Sequence, residues 1–217
     1  AAGRGITLLS FIENIGLILQ RYGAVFAQGL WNTLWLSFVS VFFGTFLGIL
    51  VALGKLSRHK LLNGVVSTYI EIIRGTPILL QLYFFWLALP NILPSISDTT
   101  CILSALVVNA SAYIAEVIRA GIQAVDAGQR EASLSLGMTE RAIMTKVIFP
   151  QAIKNILPAL GNEVIVMIKQ TSLASVFFFG ELMTAYKQVQ STTFLALEPL
   201  TISGLIYLFL TVTLSRI

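Results

Sequence analysis

Charge is scarce in this chain. Of 217 residues only 11% are Asp, Glu, Lys or Arg, against about a quarter in an ordinary soluble domain. With 14 Lys+Arg and 10 Asp+Glu set against 56% hydrophobic residues and a mean hydropathy of +0.86, too little polar surface is available to clothe a water-soluble globule. Much of the exterior must face lipid. Cysteine and histidine are nearly missing too: Cys101 has no partner for an internal disulfide, and neither it nor His59 belongs to a cluster at zinc-ligand spacing. Redox and metal chemistry therefore find no support. Nor is there a GxxxxGK[ST] or GxGxxG phosphate loop, so any ATP that drives this protein is hydrolysed by another polypeptide. The ten-residue alternating segments of a membrane β-barrel are absent, which leaves helices. The surplus of +4 (pI ≈ 9.4) is scattered among apolar runs rather than gathered into a stripe, which argues against nucleic acid.

What is present is a series of long uncharged runs. Residues 22–54 contain no charge, 33 positions where about 20 suffice to cross the hydrocarbon core. Ahead of them, Leu8, Leu9, Ile12, Ile15 and Leu19 recur at helical spacing between Ile6 and Gln20, giving residues 1–21 the character of an interfacial amphipathic segment or of an extension of the first span. No cleavable leader is expected, since the apolar segment that follows runs at full membrane length. Further spans are expected over about 63–89, 100–121, 150–179 and 199–217, all within a single membrane domain covering 22–217. Lys55, Arg58 and Lys60 fill the loop after the first span, whereas the loop of residues 90–98 has no Lys or Arg. The positive-inside rule makes the first loop cytoplasmic and puts the N-terminus outside and the C-terminus inside. Arg216 is the only charge at the end of the fifth span, so a tail beyond position 217 is expected. Trp31, Trp35, Trp86 and Phe177 to Phe179 suit interfacial belts or lipid-facing surface, and Gly44 with Gly48 forms a GxxxG packing pattern.

The polar segment of residues 123–149 is the most informative. Arg130 to Leu136 reads as a helix, Gly137 can adopt the left-handed conformation that ends it, and Thr139 can cap a second helix running to Pro150. The product is a compact elbow whose small residues, Ala132 and Ser133, let a partner's backbone approach. A pair of helices that merely caps the bundle would have the same spacing. The order Glu131-Ala132-Ser133, three residues, Gly137, nine residues, Val147-Ile148-Phe149-Pro150 resembles the EAA loop of permease subunits of ABC importers, with Ser, Val and Phe where Ala, Ile and Leu are common. Three more segments resemble the polar amino-acid branch of that family (histidine, glutamine, glutamate and arginine types). They are Glu71 to Pro77, Asn109 to Asp126 and Gln151 to Glu163. Together the motifs cover the chain from about Tyr22 onward.

The resemblance implies an all-α integral membrane protein of the type I ABC importer permease fold, with five transmembrane helices and a cytoplasmic coupling helix. It implies a multi-pass protein of the bacterial cytoplasmic membrane that pairs with a second permease, identical or homologous, and docks on a cytoplasmic ATPase dimer holding ATP and Mg. An extracytoplasmic binding protein or domain would deliver the amino acid. Glu131, Ala132, Ser133, Gly137 and Met138 carry over as the coupling signature, and the chain itself carries no cofactor and no catalytic residue.

Intramembrane polar residues are candidates for the cargo site, because a charge at membrane depth is costly unless paired or wetted. Glu71 and Arg74 lie three apart and can neutralise each other, and the Gly75-Thr76-Pro77 step after them interrupts the second span and frees carbonyls toward a cavity. Asn109, Tyr113 and Glu116 form one polar stripe of the third span; Asn109 is read as substrate-facing and Glu116 with Arg119 as a structural pair. In the fourth span Glu163 and Gln170 share a face, followed by Thr171. An amino acid needs an anion for its ammonium and a cation for its carboxylate: Glu163 can serve the first, Lys169 or Arg74 the second. Gln170 stands where an acidic residue is common in the family, which favours a neutral polar cargo such as glutamine, then an acidic one, then a basic one. An interhelical hydrogen bond would also explain it. Two other classes stay open on residues alone. A membrane-embedded hydrolase would use Glu71 or Glu163, yet no Ser-His or HExxH constellation accompanies them. An ion- or proton-coupled carrier or channel would account for the buried charges but leaves the elbow without a purpose.

Overall fold

A computed structural model describes residues 8–216, in which every regular element is helical. The helices are α1 (Leu8–Lys55), α2 (Lys60–Gly75), α3 (Ile78–Ile92), α4 (Asp98–Gln123), α5 (Ala127–Ser135), α6 (Glu140–Ile143), α7 (Phe149–Gln170), α8 (Leu182–Thr193) and α9 (Leu197–Ser215). A π turn (Met144–Ile148) joins α6 to α7, and a 3-10 segment (Thr171–Phe177) follows α7. Among the described residues α1, α4 and α9 are each long and apolar enough to cross a membrane. Two bent pairs raise the number to five if each is one broken span: α2 with α3, bent by 108°, and the helix of residues 140–177 with α8, bent by 46°. The apolar segment of residues 63–89 is two helices at a steep angle, interrupted at the Gly75-Thr76-Pro77 step as its sequence suggests. α1 is continuous through Tyr22, so residues 8–21 and the first apolar run are one helix; Ile6 lies outside the described residues. Its 48 residues make a path of about 72 Å, well over twice a hydrocarbon core.

Two compact units share these elements, residues 38–167 in one and the remaining described residues in the other. In the first, α4 is the hub. Its Ala105, Ala110, Ala112 and Ala115 are all at most 1% exposed, because small side chains let neighbouring helices approach from several sides at once. The GxxxG pattern does its packing here. A Cβ on Gly44 would meet the Ala110 Cβ at 2.6 Å, and one on Gly48 would meet the Ile114 Cγ2 at 2.9 Å. α2 closes another side of α4 through Ile70, Ala52 and Ala115, with Tyr69 hydrogen-bonded to Ser111 Oγ at 2.6 Å.

In the second unit Ile18 and Phe26 of α1 pack with Leu182, Ala185, Val189 and Ile202. Thr33 Oγ1 accepts from the Leu182 amide at 3.1 Å. The fully buried Glu181 caps α8 by accepting from the amides of Met183 and Thr184, at 2.8 and 2.7 Å, and from Tyr207 Oη at 3.0 Å. Trp35 stacks on Phe179 at 6.5 Å between centroids. α8 carries no signal strong enough to be expected from the sequence, since its run of Lys, Gln, Ser and Thr is polar and its apolar residues are confined to one narrow face.

The α1–α4 contact predicts a specific pair of outcomes. Gly44→Leu should lower stability by at least about 1–3 kcal/mol through overpacking, whereas Gly64→Ala, where an added Cβ meets nothing within 4 Å, should leave the thermal midpoint in detergent unchanged or slightly raised.

Candidate functional site

Proline ends α2. Pro77 has no amide proton, its predecessor Thr76 is extended (φ −116°, ψ 144°), and the chain restarts as α3 at Ile78. In a bilayer the carbonyls freed by such a break find no water, so protein must satisfy them. One side chain does so here. Gln81 Nε2 donates to the carbonyl of Ile73 at 2.7 Å, to that of Thr76 at 3.1 Å and to Thr76 Oγ1 at 2.9 Å. Its remaining atom, Oε1, accepts from Asn109 Nδ2 at 2.9 Å. Gln81 is 6% exposed and Asn109 2% exposed. Asn109, expected on the polar stripe to face the substrate, is buried in this chain with its donor engaged by the residue that holds the break. Gln81 itself escaped sequence reading, although an amide four residues beyond a helix-breaking Pro is a usable signal.

The break also aims Arg74. Its partner is not Glu71 but Glu116 of α4, at 3.5 Å, with the guanidinium lying over the Tyr113 ring at 5.4 Å. Docking on α4 offers Arg74 a half-buried carboxylate and an aromatic face together, which the Glu71 side chain on its own helix does not. Glu116 is held from the other side by Arg119, whose Nη2 lies 2.7 Å from Oε2 and whose Nε is 3.1 Å from both oxygens. The structural role expected of that pair is what the geometry displays. Glu163 is half-buried on α7. Lys169, Gln170 and Thr171 belong to the other unit. Lys169 is exposed, Gln170 half-buried and Thr171 fully buried, with its hydroxyl donating to the Ile168 carbonyl at 2.8 Å.

The elbow is built from helix ends. Asp126 Oδ1 accepts from the Gly128 amide at 2.7 Å to start α5. At the other end Met138 N–H donates to Ser133 O at 3.1 Å and Gly137 N–H to Leu134 O at 2.9 Å, the paired bonds of a Schellman cap, with Gly137 at φ +75°. Thr139 caps α6, and the Arg130–Glu140 ion pair ties the two arms together at 2.5 Å. The second arm does not stop at Pro150. The wider π turn over Met144–Ile148 removes the clash that Pro150 would make inside an α-helix, and the chain continues into α7. Glu131 and Ala132 are exposed, but Ser133 is turned inward, its hydroxyl donating to Gln129 O at 2.6 Å. The outward face also holds Leu134 and Leu136, 44% and 82% exposed, which residue spacing did not single out.

Broken membrane helices around internal charges, joined to an exposed rigid elbow, define a helical membrane permease. Residues 44–217 match the family described as the inner membrane component of binding-protein-dependent transport systems. The chain belongs to this family. Its relatives include the arginine transport system permease protein ArtQ of Bacillus subtilis, 39% identical over 88% of this chain and 87% of the relative. Another is the nopaline transport system permease protein NocM of Agrobacterium fabrum, 35% identical over 94% and 88%. A solved structure titled as an amino acid ABC transporter with histidines superposes with a TM-score of 0.89, at 48% identity over 92% of this chain and 94% of that one. The MetNI methionine transporter, at 21% identity and a TM-score of 0.69 over 88% and 94%, shares the fold. The chain is accordingly a permease subunit of an ABC transporter and not an enzyme, of a family that works with a separate ATPase and a substrate-binding protein.

Replacing Gln81 by Leu should leave the Ile73 and Thr76 carbonyls and the Asn109 amide unpaired, at about 1–3 kcal/mol for each. The expected readout is a clearly lowered thermal midpoint of the purified transporter; an unchanged midpoint would show that the break is held by something else.

Proposed function

We propose that this chain imports polar amino acids across the bacterial cytoplasmic membrane by alternating access, paired with a second permease and driven through residues 127–150 by a cytoplasmic ATPase dimer that binds ATP and Mg. The observation that carries the reading is the elbow. Its arms are capped at each junction and cross-tied by Arg130 and Glu140, while Ala132, Leu134 and Leu136 are presented outward. A corner this stiff passes on a push as a rigid-body displacement of the helices it joins, and exposed leucines on a short polar helix suit a docking groove. The basic residues Lys55, Arg58 and Lys60 favour a cytoplasmic position for the first loop, with the N-terminus outside and the C-terminus inside. The five spans and the partition at residue 22 belong to this same reading, as does delivery by an extracytoplasmic binding protein.

Amino-acid cargo is supported by relatives named for arginine, nopaline and glutamine transport. Glu163 is assigned the ammonium and Arg74 the carboxylate, with Lys169 as the other cation available. Asn109 contributes indirectly, by holding the break that aims Arg74. Gln170, an amide where the family commonly has an acid, favours a neutral polar side chain such as that of glutamine, ahead of acidic and basic ones.

Two variants test the proposal. Gly137→Arg places a bulky residue at φ +75° on the docking face and should abolish co-purification of the ATPase while membrane insertion persists; full recovery of the complex would count heavily against the coupling role. Glu163→Ala should raise the amino-acid concentration that half-maximally stimulates ATPase activity about tenfold, the equivalent of one ion pair of about 1.4 kcal/mol. An unmoved half-maximum would remove Glu163 from the path.

A further inference from the structure

A cleft of about 470 Å³ opens within residues 38–167 where the end of α1, α2 and the end of α4 meet. Lys55, Ser67, Glu71, Arg74, Glu116 and Arg119 line it, and its volume is in the range of small-molecule sites, about 300–1,000 Å³. Its charges do not balance locally. Glu116 gathers Arg119 and Arg74, and Lys55 adds a third cation to the lining of the same cleft. Arg119 is committed to it through two nitrogens, but Arg74 is not. The Arg74 side chain is 43% exposed, its one carboxylate contact is 3.5 Å long, and with its guanidinium over the Tyr113 ring most of its five N–H donors remain open. Lys55 Nζ is 2.5 Å from Ser67 Oγ, a neutral partner, and makes no ion pair among the described residues. Glu71 shows the opposite imbalance: one turn from Arg74 on α2, it lines the same cleft and makes no ion pair among the described residues.

An under-used cation and an unpaired anion facing one cleft are complementary to a zwitterion. A phosphate or a lipid headgroup phosphate would satisfy Arg74 and Lys55 but would meet repulsion from Glu71. We propose that this cleft is a second amino-acid station on the translocation path, with the α-carboxylate on Arg74 and Lys55 and the α-ammonium on Glu71. The inference rests on the reading of the cargo as an amino acid and extends it. Because Arg74 is assigned the carboxylate at both stations, the carboxylate can keep its cation while the ammonium exchanges one carboxylate for the other, Glu163 for Glu71. Such a hand-over spares the cargo from being stripped of both partners at once, which inside a membrane is the costly alternative.

Equilibrium dialysis of radiolabelled L-glutamine, and separately of L-arginine, against the permease–ATPase complex in nanodiscs tests this without the binding protein. The expected result is one amino acid per copy of this chain, because the two stations share Arg74, with binding that persists weakened in Glu163→Gln. Adding Glu71→Gln to Glu163→Gln weakens that residual binding at least a further tenfold, and adding Glu71→Asp weakens it less. Binding abolished by Glu163→Gln alone, or residual binding untouched by adding Glu71→Gln, would overturn the second station and leave the cargo reading intact. No binding of either amino acid by the wild type would overturn both. Displacement from the Glu71-dependent site by inorganic phosphate as readily as by unlabelled amino acid would also overturn it, in favour of a plain anion site.

Discussion

The structure turns on the need to satisfy backbone carbonyls where a helix breaks out of reach of water. Pro77 forces the break between α2 and α3, and the Ile73 and Thr76 carbonyls are left with Gln81 as their donor. In a soluble protein solvent would take that place; in a bilayer each unpaired group is a direct loss. Asn109 completes the arrangement from α4, so the bend is fixed by a side-chain network spanning three helices. The consequence reaches the charges. With α2 turned by 108° from α3, Arg74 at its end is delivered to Tyr113 and Glu116.

The same rule governs the other junctions. Glu181 is a buried carboxylate, yet two amides and a tyrosine hydroxyl occupy it, and it serves as the cap on which α8 starts. At the elbow Asp126, Gly137 and Thr139 satisfy successive helix ends within fourteen positions, and the π turn absorbs Pro150 without ending the helix. Stiffness at these corners follows from the capping of successive helix ends.

Charge in the cleft between α2 and α4 is organised around Glu116 rather than in separate pairs. Clustering several cations on one carboxylate leaves Arg74 incompletely satisfied, and an incompletely satisfied arginine suits a ligand carboxylate better than one locked in a bidentate bridge. Translocation requires this compromise, because a site that bound its cargo with every donor would not release it.

Much of this was legible in the sequence. The long uncharged runs, the break at Gly75 to Pro77, the left-handed Gly137 with its Thr139 cap, the GxxxG contact and the Glu116–Arg119 pair all follow from spacing, because each depends on residues within about a turn or two of one another or on composition alone. Contacts between distant segments were not legible. Arg74 chose Glu116 over the nearer Glu71, Asn109 met Gln81, Ser133 turned inward, and the polar run of α8 folded as a helix because Thr33 and Tyr207 anchor its start. Local chemistry set which elements could form and where they had to break. The packing of α2, α3 and α4 decided which of several chemically equal partners each polar side chain met, since that choice depends on which atoms come within about 3 Å in space, and spacing along the chain carries no record of it.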